Sequence, residues 1–409
     1  MLAATEMEFL IPSRQSRPGD DPIFTLHAEA TKRAKAGEDI VNATIGALLN
    51  DDGHLAIMPS VVETLRNVDP EVGAAYAPIA GQTEFRTAVI EDVLGAHGLT
   101  GEALAVATPG GSGALRMALD NFLEPHQTVL TTSYFWGPYR TLSDEAGRSF
   151  ATFKMFDDAG RFDVVDLERK LDALLSEQGR GLVILNSPCH NPTGYSLDAA
   201  EWDATVTMLE RLSRKGPIAL VLDAAYAYYK KESLDVALSA LSRLVGKTQV
   251  LVAWSASKSF AQYGLRIGAL VAVVPDAAQR VRIDNALTYS CRGTWSNCNA
   301  AGQVAITRLL VEPDLRRRAL AERAALVEML SRRVARWNEL AQGSAIRYPR
   351  YDGGFFTTVF HDEPQAVAAR LREKGIFVVP LAGALRVAMC AVNHGEIDRI
   401  VTALHEVLG

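Results

Sequence analysis

The sequence predicts an α/β fold in which a large domain, built on a mostly parallel sheet, is followed by a smaller α+β domain; three observations carry that prediction. Short runs rich in Val, Ile and Leu recur at Thr128–Thr132, Gly181–Leu185, Ile218–Leu222, Val250–Ala253 and Ile267–Val274, without an alternating polar face. Amphipathic segments lie between several of them: in Ala114–Phe122 and Trp202–Leu212 apolar residues return every three or four positions. The pattern changes late in the chain, where Glu312–Leu340 reads as one long Arg-, Glu- and Leu-rich helix and Gly353–Phe360, Gly375–Val379 and Leu385–Ala388 read as strands of a smaller unit. Fully apolar strands separated by helices pack as a parallel sheet covered on both faces. The expected division is an N-terminal arm with part of the small domain over 1–50, a large domain over 51–325 and a C-terminal small domain over 326–409.

A chain of 409 residues suits two or three domains of about 100–200 residues each. Its 48% hydrophobic and 22% charged residues are ordinary for a soluble globular enzyme and exclude a disordered chain. The net charge of −6 is small for this length, which argues against nucleic acid or an anionic membrane as partner. No stretch approaches the ~20 apolar residues of a membrane span, and the first residues hold no apolar run fit for a signal peptide, so a cytoplasmic protein is expected. Cys189, Cys291, Cys298 and Cys390 lack Cys-x-x-Cys spacing, and reduced thiols fit that compartment. The eight histidines form no zinc-binding pattern, so no metal is expected; His190 reads as a neighbour of Asp223 or as purely structural.

Chemistry enters at the strand ends, because open parallel sheets bind ligands beyond their carboxyl edge. Ile218–Leu222 runs into Asp223 and Tyr226, Val250–Ala253 into Ser255-Ala256-Ser257-Lys258, and Gly181–Leu185 into a segment ending in Asn191-Pro192-Thr193-Gly194. An acid, a phenol, a lysine and an asparagine thus reach one edge. Ala107-Thr108-Pro109-Gly110-Gly111-Ser112-Gly113 precedes a helix expected to begin near Ala114, and glycines at a helix N-terminus admit a phosphate. The run lacks the Gly-Lys-Ser/Thr of a P-loop, the third glycine of a dinucleotide fingerprint and the closing glycine of a nucleophile elbow.

Together these residues resemble the fold-type I pyridoxal-phosphate aminotransferases, in particular the aspartate and aromatic amino acid subgroup (class I/II). The matching segments are Asp21-Pro22-Ile23, Ile45-Gly46, Tyr76–Gly81, Gly110–Leu115, His190–Gly194, Asp223-x-x-Tyr226, Ser255–Lys258, Arg266-x-Gly268 and Arg386, in the family's order over nearly the whole chain. Each is weak alone, and the ordered set is specific.

The resemblance implies a seven-stranded sheet, pyridoxal 5′-phosphate as cofactor, and an amino group exchanged by ping-pong between an L-amino acid, acidic or aromatic, and a 2-oxo acid such as 2-oxoglutarate. It makes Lys258 the Schiff-base lysine and proton carrier, where a lysine met in isolation would be a solvated surface group. Asp223 would pair with the pyridine nitrogen, with Tyr226 and Asn191 at the phenolic oxygen. Arg266, Ser255, Ser257, Ser112, Gly110 and Gly111 would hold the phosphate. Trp136, within three consecutive aromatics, would stack on the ring; core packing is the alternative for all three. Arg386 would take the substrate α-carboxylate near Gly46. Tyr76 and Arg292 would reach the neighbouring subunit's site, which implies a homodimer with shared sites.

Two departures, Leu48 in place of an aromatic residue and Cys298-Asn299 in place of paired prolines, are expected near the substrate mouth. Other readings of the same constellation are a β-lyase or decarboxylase, told apart by release of pyruvate or ammonia, and a non-catalytic cofactor-binding regulator, which generally carries a basic DNA-binding segment.

Overall fold

The Val-, Ile- and Leu-rich runs form the middle of a seven-stranded sheet in a computed structural model that describes residues 9–19 and 22–408. Asp21, at the start of the resemblance, lies outside the described residues. Strand β1 (Val41–Asn42) belongs elsewhere; the sheet is built from β2 (Ala103–Thr108), β3 (Thr128–Thr132), β4 (Ser149–Phe153), β5 (Gly181–Asn186), β6 (Ile218–Asp223), β7 (Gln249–Ser255) and β8 (Gly268–Val273). Their order across the sheet is β2-β8-β7-β6-β5-β3-β4. The strands from β7 to β4 pair parallel, and β8 pairs antiparallel with both β7 and β2.

β8 runs backwards for a topological reason. Between it and β7 lies only a short helix, Ala256–Ser259, with a loop, too little for the helical crossover that a parallel return requires. Two strands are absent from the expectation. β2 is rich in alanine, and β4 is an edge strand with exposed or half-buried residues at most positions, so neither has the fully apolar run that marks the centre.

The helix expected near Ala114 begins at Gly110 and runs to Phe122. Propensity disfavours three glycines and a serine there. Tertiary approach overrides it: a Cβ on Gly268 of β8 would lie 2.5 Å from the Gly110 carbonyl carbon, so strand and helix meet backbone to backbone.

Beyond the sheet, the 29-residue helix Pro313–Ala341 places Ala319 in the core of the large sheet and Leu330, Val334 and Trp337 in a second core. That second core surrounds β9 (Phe356–Phe360), β10 (Ile376–Phe377), β11 (Val379–Leu381) and β12 (Ala384–Ala388). β9, β12 and β11 form an antiparallel sheet, and β10 pairs in parallel with β1. The expected strand Gly375–Val379 is therefore two short strands in different sheets, and Gly353–Phe360 pairs only from Phe356 onward. Arg333, fully buried on the long helix, donates to the carbonyls of Cys390 (3.1 Å) and Leu49 (2.7 Å) and to Asp51 (2.7 Å). Among the described residues, no helix is long and apolar enough to cross a membrane.

Candidate active site

Strand register brings the candidate side chains together. Ser255, at the end of β7, pairs with Gly268 at the start of β8, and Gly268 pairs with Thr108 at the end of β2. Antiparallel β8 thereby delivers Arg266, which precedes it, to the edge that the parallel strands reach with their carboxyl ends. Asp223 pairs with Asn186 on one side and Ala253 on the other.

A cavity of about 190 Å³ opens at this edge. Gly111, Ser112, Ser255, Ser257 and Arg266 line one end, Asn191, Asp223 and Tyr226 the other, and Trp136 and Lys258 complete it. Leu115, Asn186 and Ala225 also line it, and sequence reasoning assigned them no role. Asn186 was legible as the last residue of an apolar strand: its side chain accepts the Asn191 N–H (2.6 Å) and donates to the Asp223 carbonyl (2.8 Å), fixing both loops.

One end of the cavity is cationic and rich in donors. The helix Gly110–Phe122 has no side-chain cap, which leaves its first-turn N–H groups directed at the site. Arg266 donates to the carbonyls of Tyr263 (2.9 Å) and Pro109 (3.2 Å) and lies 3.4 Å from Ser257 Oγ. Among the described residues it has no acidic partner. Its φ of +56° is the left-handed region that a non-glycine residue occupies at a cost of about 1–3 kcal/mol.

The other end holds the acid. Asp223 is 5% exposed, and burial raises its carboxyl above the ordinary range; the Tyr139 hydroxyl, the Ala225 N–H and Lys258 pull the opposite way. Tyr139 was not foreseen, although it stands one helical turn after Trp136 on the same segment, and the two rings meet edge to face at 5.6 Å. Tyr226 receives the Asn191 side-chain N–H at 3.3 Å, and burial holds its phenol far above the usual value.

Lys258 lies between these ends with its Nζ over two phenol rings, 4.7 Å from the centroid of Tyr263 and 5.7 Å from that of Tyr226. Burial, assisted by Arg266, lowers its pKa to about 8. Cys390 keeps its proton up to about 12 and is neutral where Lys258 titrates, which leaves Asp223 as the opposing charge. Tyr263 is a second residue that sequence reasoning missed; its hydroxyl also accepts the Leu48 N–H at 3.0 Å.

Residues 38–404 match the family model for aminotransferase class I and II. The chain belongs to that family. The aminotransferase is 29% identical to an aromatic-amino-acid aminotransferase of Paracoccus denitrificans over 95% of this chain and 97% of the relative. It is 28% identical to an aspartate aminotransferase of Pseudomonas aeruginosa with the same coverage, 95% and 97%. A solved aminotransferase from Anaerococcus prevotii superposes with a TM-score of 0.93 at 31% identity, covering 98% of this chain and 99% of that one. The fold is accordingly fold-type I, and the protein is a pyridoxal-phosphate-dependent enzyme of amino-acid transamination. The residues present fit that cofactor: an uncapped helix N-terminus beside an arginine without an acidic partner suits a phosphate, and a buried acid suits a ring cation.

Several expected residues of the aminotransferase stand off the cavity. Gly110 packs under Arg266, whose guanidinium a Cβ there would strike. Gly46 faces Phe356, with a Cβ falling 2.8 Å from the ring. Arg386 is buried on β12, donates to the Thr44 carbonyl at 2.6 Å and lies 4.5 Å from the Phe356 ring centroid. Tyr76, 92% exposed, and Arg292, which donates to Ser296 Oγ at 2.6 Å, face outward.

Leu48 is fully buried in the second core with its N–H on the Tyr263 hydroxyl, next to Lys258, and Cys298 is buried while Asn299 caps the helix Ala300–Val311; neither departure is part of the cavity lining itself. His190 does not bond Asp223: its ring bonds Thr193 (2.8 Å) and Thr132 (3.2 Å), and burial lowers its pKa to about 3, leaving a neutral structural group. Of the three consecutive aromatics, only Trp136 lines the cavity; Tyr134 packs on Phe360 and Phe135 on Phe150.

Proposed function

We propose that the enzyme exchanges an amino group by ping-pong between an acidic or aromatic L-amino acid and a 2-oxo acid such as 2-oxoglutarate, with Lys258 as the attachment and proton-transfer residue. The observation that carries this reading is Lys258, with a pKa near 8, between a phosphate-suited end and a buried acid within one cavity of about 190 Å³. When bound, the cofactor supplies a carbonyl for the amino group and a cationic ring that takes up the electrons left when the Cα proton departs.

The chain's own residues divide the rest. Burial opposes the ionised form of Asp223 while Tyr139 and Ala225 favour it, and as a carboxylate Asp223 would pair with the ring cation. Tyr226 and Asn191 donate toward the phenolic oxygen, and Trp136 covers the ring. Arg266, Ser112, Ser255, Ser257 and the amides of Gly110 and Gly111 bind the phosphate. Arg386 orients the substrate by its α-carboxylate beside Gly46. Lys258 removes the Cα proton and returns it to the carbon on the other side of the transferred nitrogen, a task suited to an amine whose proton affinity is low enough to be partly neutral near neutral pH.

A cytoplasmic homodimer is part of the same proposal, as is the division into 1–50 with 326–409 and 51–325. Supporting it, Tyr76 and Tyr289 are large, 92% and 83% exposed, and Arg292 is exposed and is not among the residues lining its own chain's cavity. In that arrangement Tyr76 and Arg292 serve the partner's site, Arg292 at a distal carboxylate.

The test is an absorbance titration of the holoenzyme with glutamate, aspartate and phenylalanine in turn. An amino acid that bleaches the visible band, with recovery on adding 2-oxoglutarate, identifies the donor class. Release of pyruvate or ammonia in place of that recovery would refute the reading.

A further inference from the structure

Arg323, on the helix Pro313–Ala341, is only 9% exposed, yet among the described residues it has neither a carboxylate partner nor a hydrogen-bond acceptor. Its guanidinium instead lies 4.3 Å from the centroid of Tyr228 and 5.8 Å from that of Phe260, at the wall of a second cavity of about 230 Å³. A buried cation without an anion is costly, and the face not covered by the aromatic rings stays available to one. Arg316 and Lys231 stand on the same wall. Lys231 is engaged by Asp235 at 3.1 Å, and Arg316 is exposed and, among the described residues, has no acidic partner.

We propose that this cavity binds a small organic monocarboxylate with an apolar body, its carboxylate on Arg323 and Arg316. The apolar requirement comes from Phe260, Leu309, Leu310 and Leu320, which line it together with Gly95, Ala96 and Ala319. The limit to a single charge comes from Glu91 and Asp92, which offset two of the three cations of the lining, Lys231, Arg316 and Arg323. Asp92 forms no ion pair with Arg323 among the described residues; its Oδ2 accepts the Tyr228 hydroxyl and the Trp254 indole N–H (3.1 Å). The size is close to that of the active-site cavity, about 190 Å³, so a molecule of amino-acid or oxo-acid dimensions fits. The two cavities share no lining residue, and Tyr228 and Phe260 each stand two residues beyond Tyr226 and Lys258, so the sites are distinct though joined by short stretches of chain. The inference goes beyond the proposed reaction and does not rest on it.

The probe is 4-fluorobenzoate, followed by fluorine NMR and calorimetry on the holoenzyme. The wild type is expected to bind it at a site that persists in Arg386→Leu, and Arg323→Met is expected to weaken that site by at least about tenfold. Turnover and the cofactor spectrum of Arg323→Met should stay those of the wild type. Arg316→Gln should weaken the site less, and Leu320→Glu, a surface change that is informative even if Arg323→Met fails to fold, should weaken it by like-charge repulsion. Inorganic phosphate should not compete. Absence of a site in Arg386→Leu, wild-type affinity in the variants, or competition by phosphate would overturn the proposal.

Discussion

The Tyr139 hydroxyl donates to Asp223 Oδ2 at 2.5 Å, and among the described residues no other side chain donates to that carboxylate. Burial drives Asp223 toward its neutral form, and this phenol opposes it. Tyr139→Phe removes a bond to an ionised group, worth about 1.5–3 kcal/mol, so kcat should fall by roughly tenfold to a hundredfold. The acid limb of the pH profile should move to higher pH as Asp223 protonates more readily. A profile unchanged in position would reduce Tyr139 to a packing role.

Lys258 titrates near pH 8 in place of its ordinary 10.5. Uptake of pyridoxal phosphate by the apoprotein needs the neutral amine, so its rate should rise with pH and be half-maximal near 8. The same shift bears on stability. The folded value lies below the unfolded one, so between about 8 and 10.5 the unfolded chain holds the proton more tightly and stability rises with pH. Denaturation of the apoprotein and of Lys258→Met across that window should show the difference, with the wild type gaining on the variant as pH rises.

Arg266 faces uncapped helix N–H groups without an acidic partner of its own. Arg266→Met should weaken pyridoxal phosphate by at least about tenfold and leave pyridoxal, which has no phosphate, unchanged. Parallel equilibrium titrations separate the two, and an equal loss for both would move Arg266 from phosphate binding to scaffolding.

Arg333 joins Leu49, Asp51 and Cys390 from inside the second core. Arg333→Met strands buried carbonyls, and chemical denaturation should report a loss of about 2–4 kcal/mol.

Arg292 offers a complementation test. Lys258→Ala and Arg292→Leu chains should each be poor with aspartate, and a mixture refolded together should regain activity if each site borrows its partner's arginine. No recovery would place Arg292 in its own chain's site.

Legibility in the sequence followed burial and local order. β5, β6 and β7 were readable because both faces are buried, so the apolar runs stood out, and with them Asp223 at the end of β6 and Asn191 and Lys258 a few residues beyond β5 and β7. β4 was not, because an edge strand needs no apolar run. The start of the Gly110 helix was misplaced because its cause, the close approach of Gly268, is 158 residues away in the chain. Tyr139 and Tyr263 escaped for a related reason: each acts through a partner, Asp223 or Leu48, that only the folded chain brings near. Arg386 was readable, while its stacking on Phe356 depends on pairing between β9 and β12.

After its opening proline, the helix Pro313–Ala341 contains neither proline nor glycine, and at 1.5 Å per residue it is a rod about 43 Å long. Sharp kinks need such residues or a local defect, so this segment offers no joint. A tilt of about 5° at one end carries the other through roughly 4 Å at that length. Any tilt of the three-stranded sheet against the seven-stranded one would therefore be carried along the whole of this rod, whose residues sit in both cores.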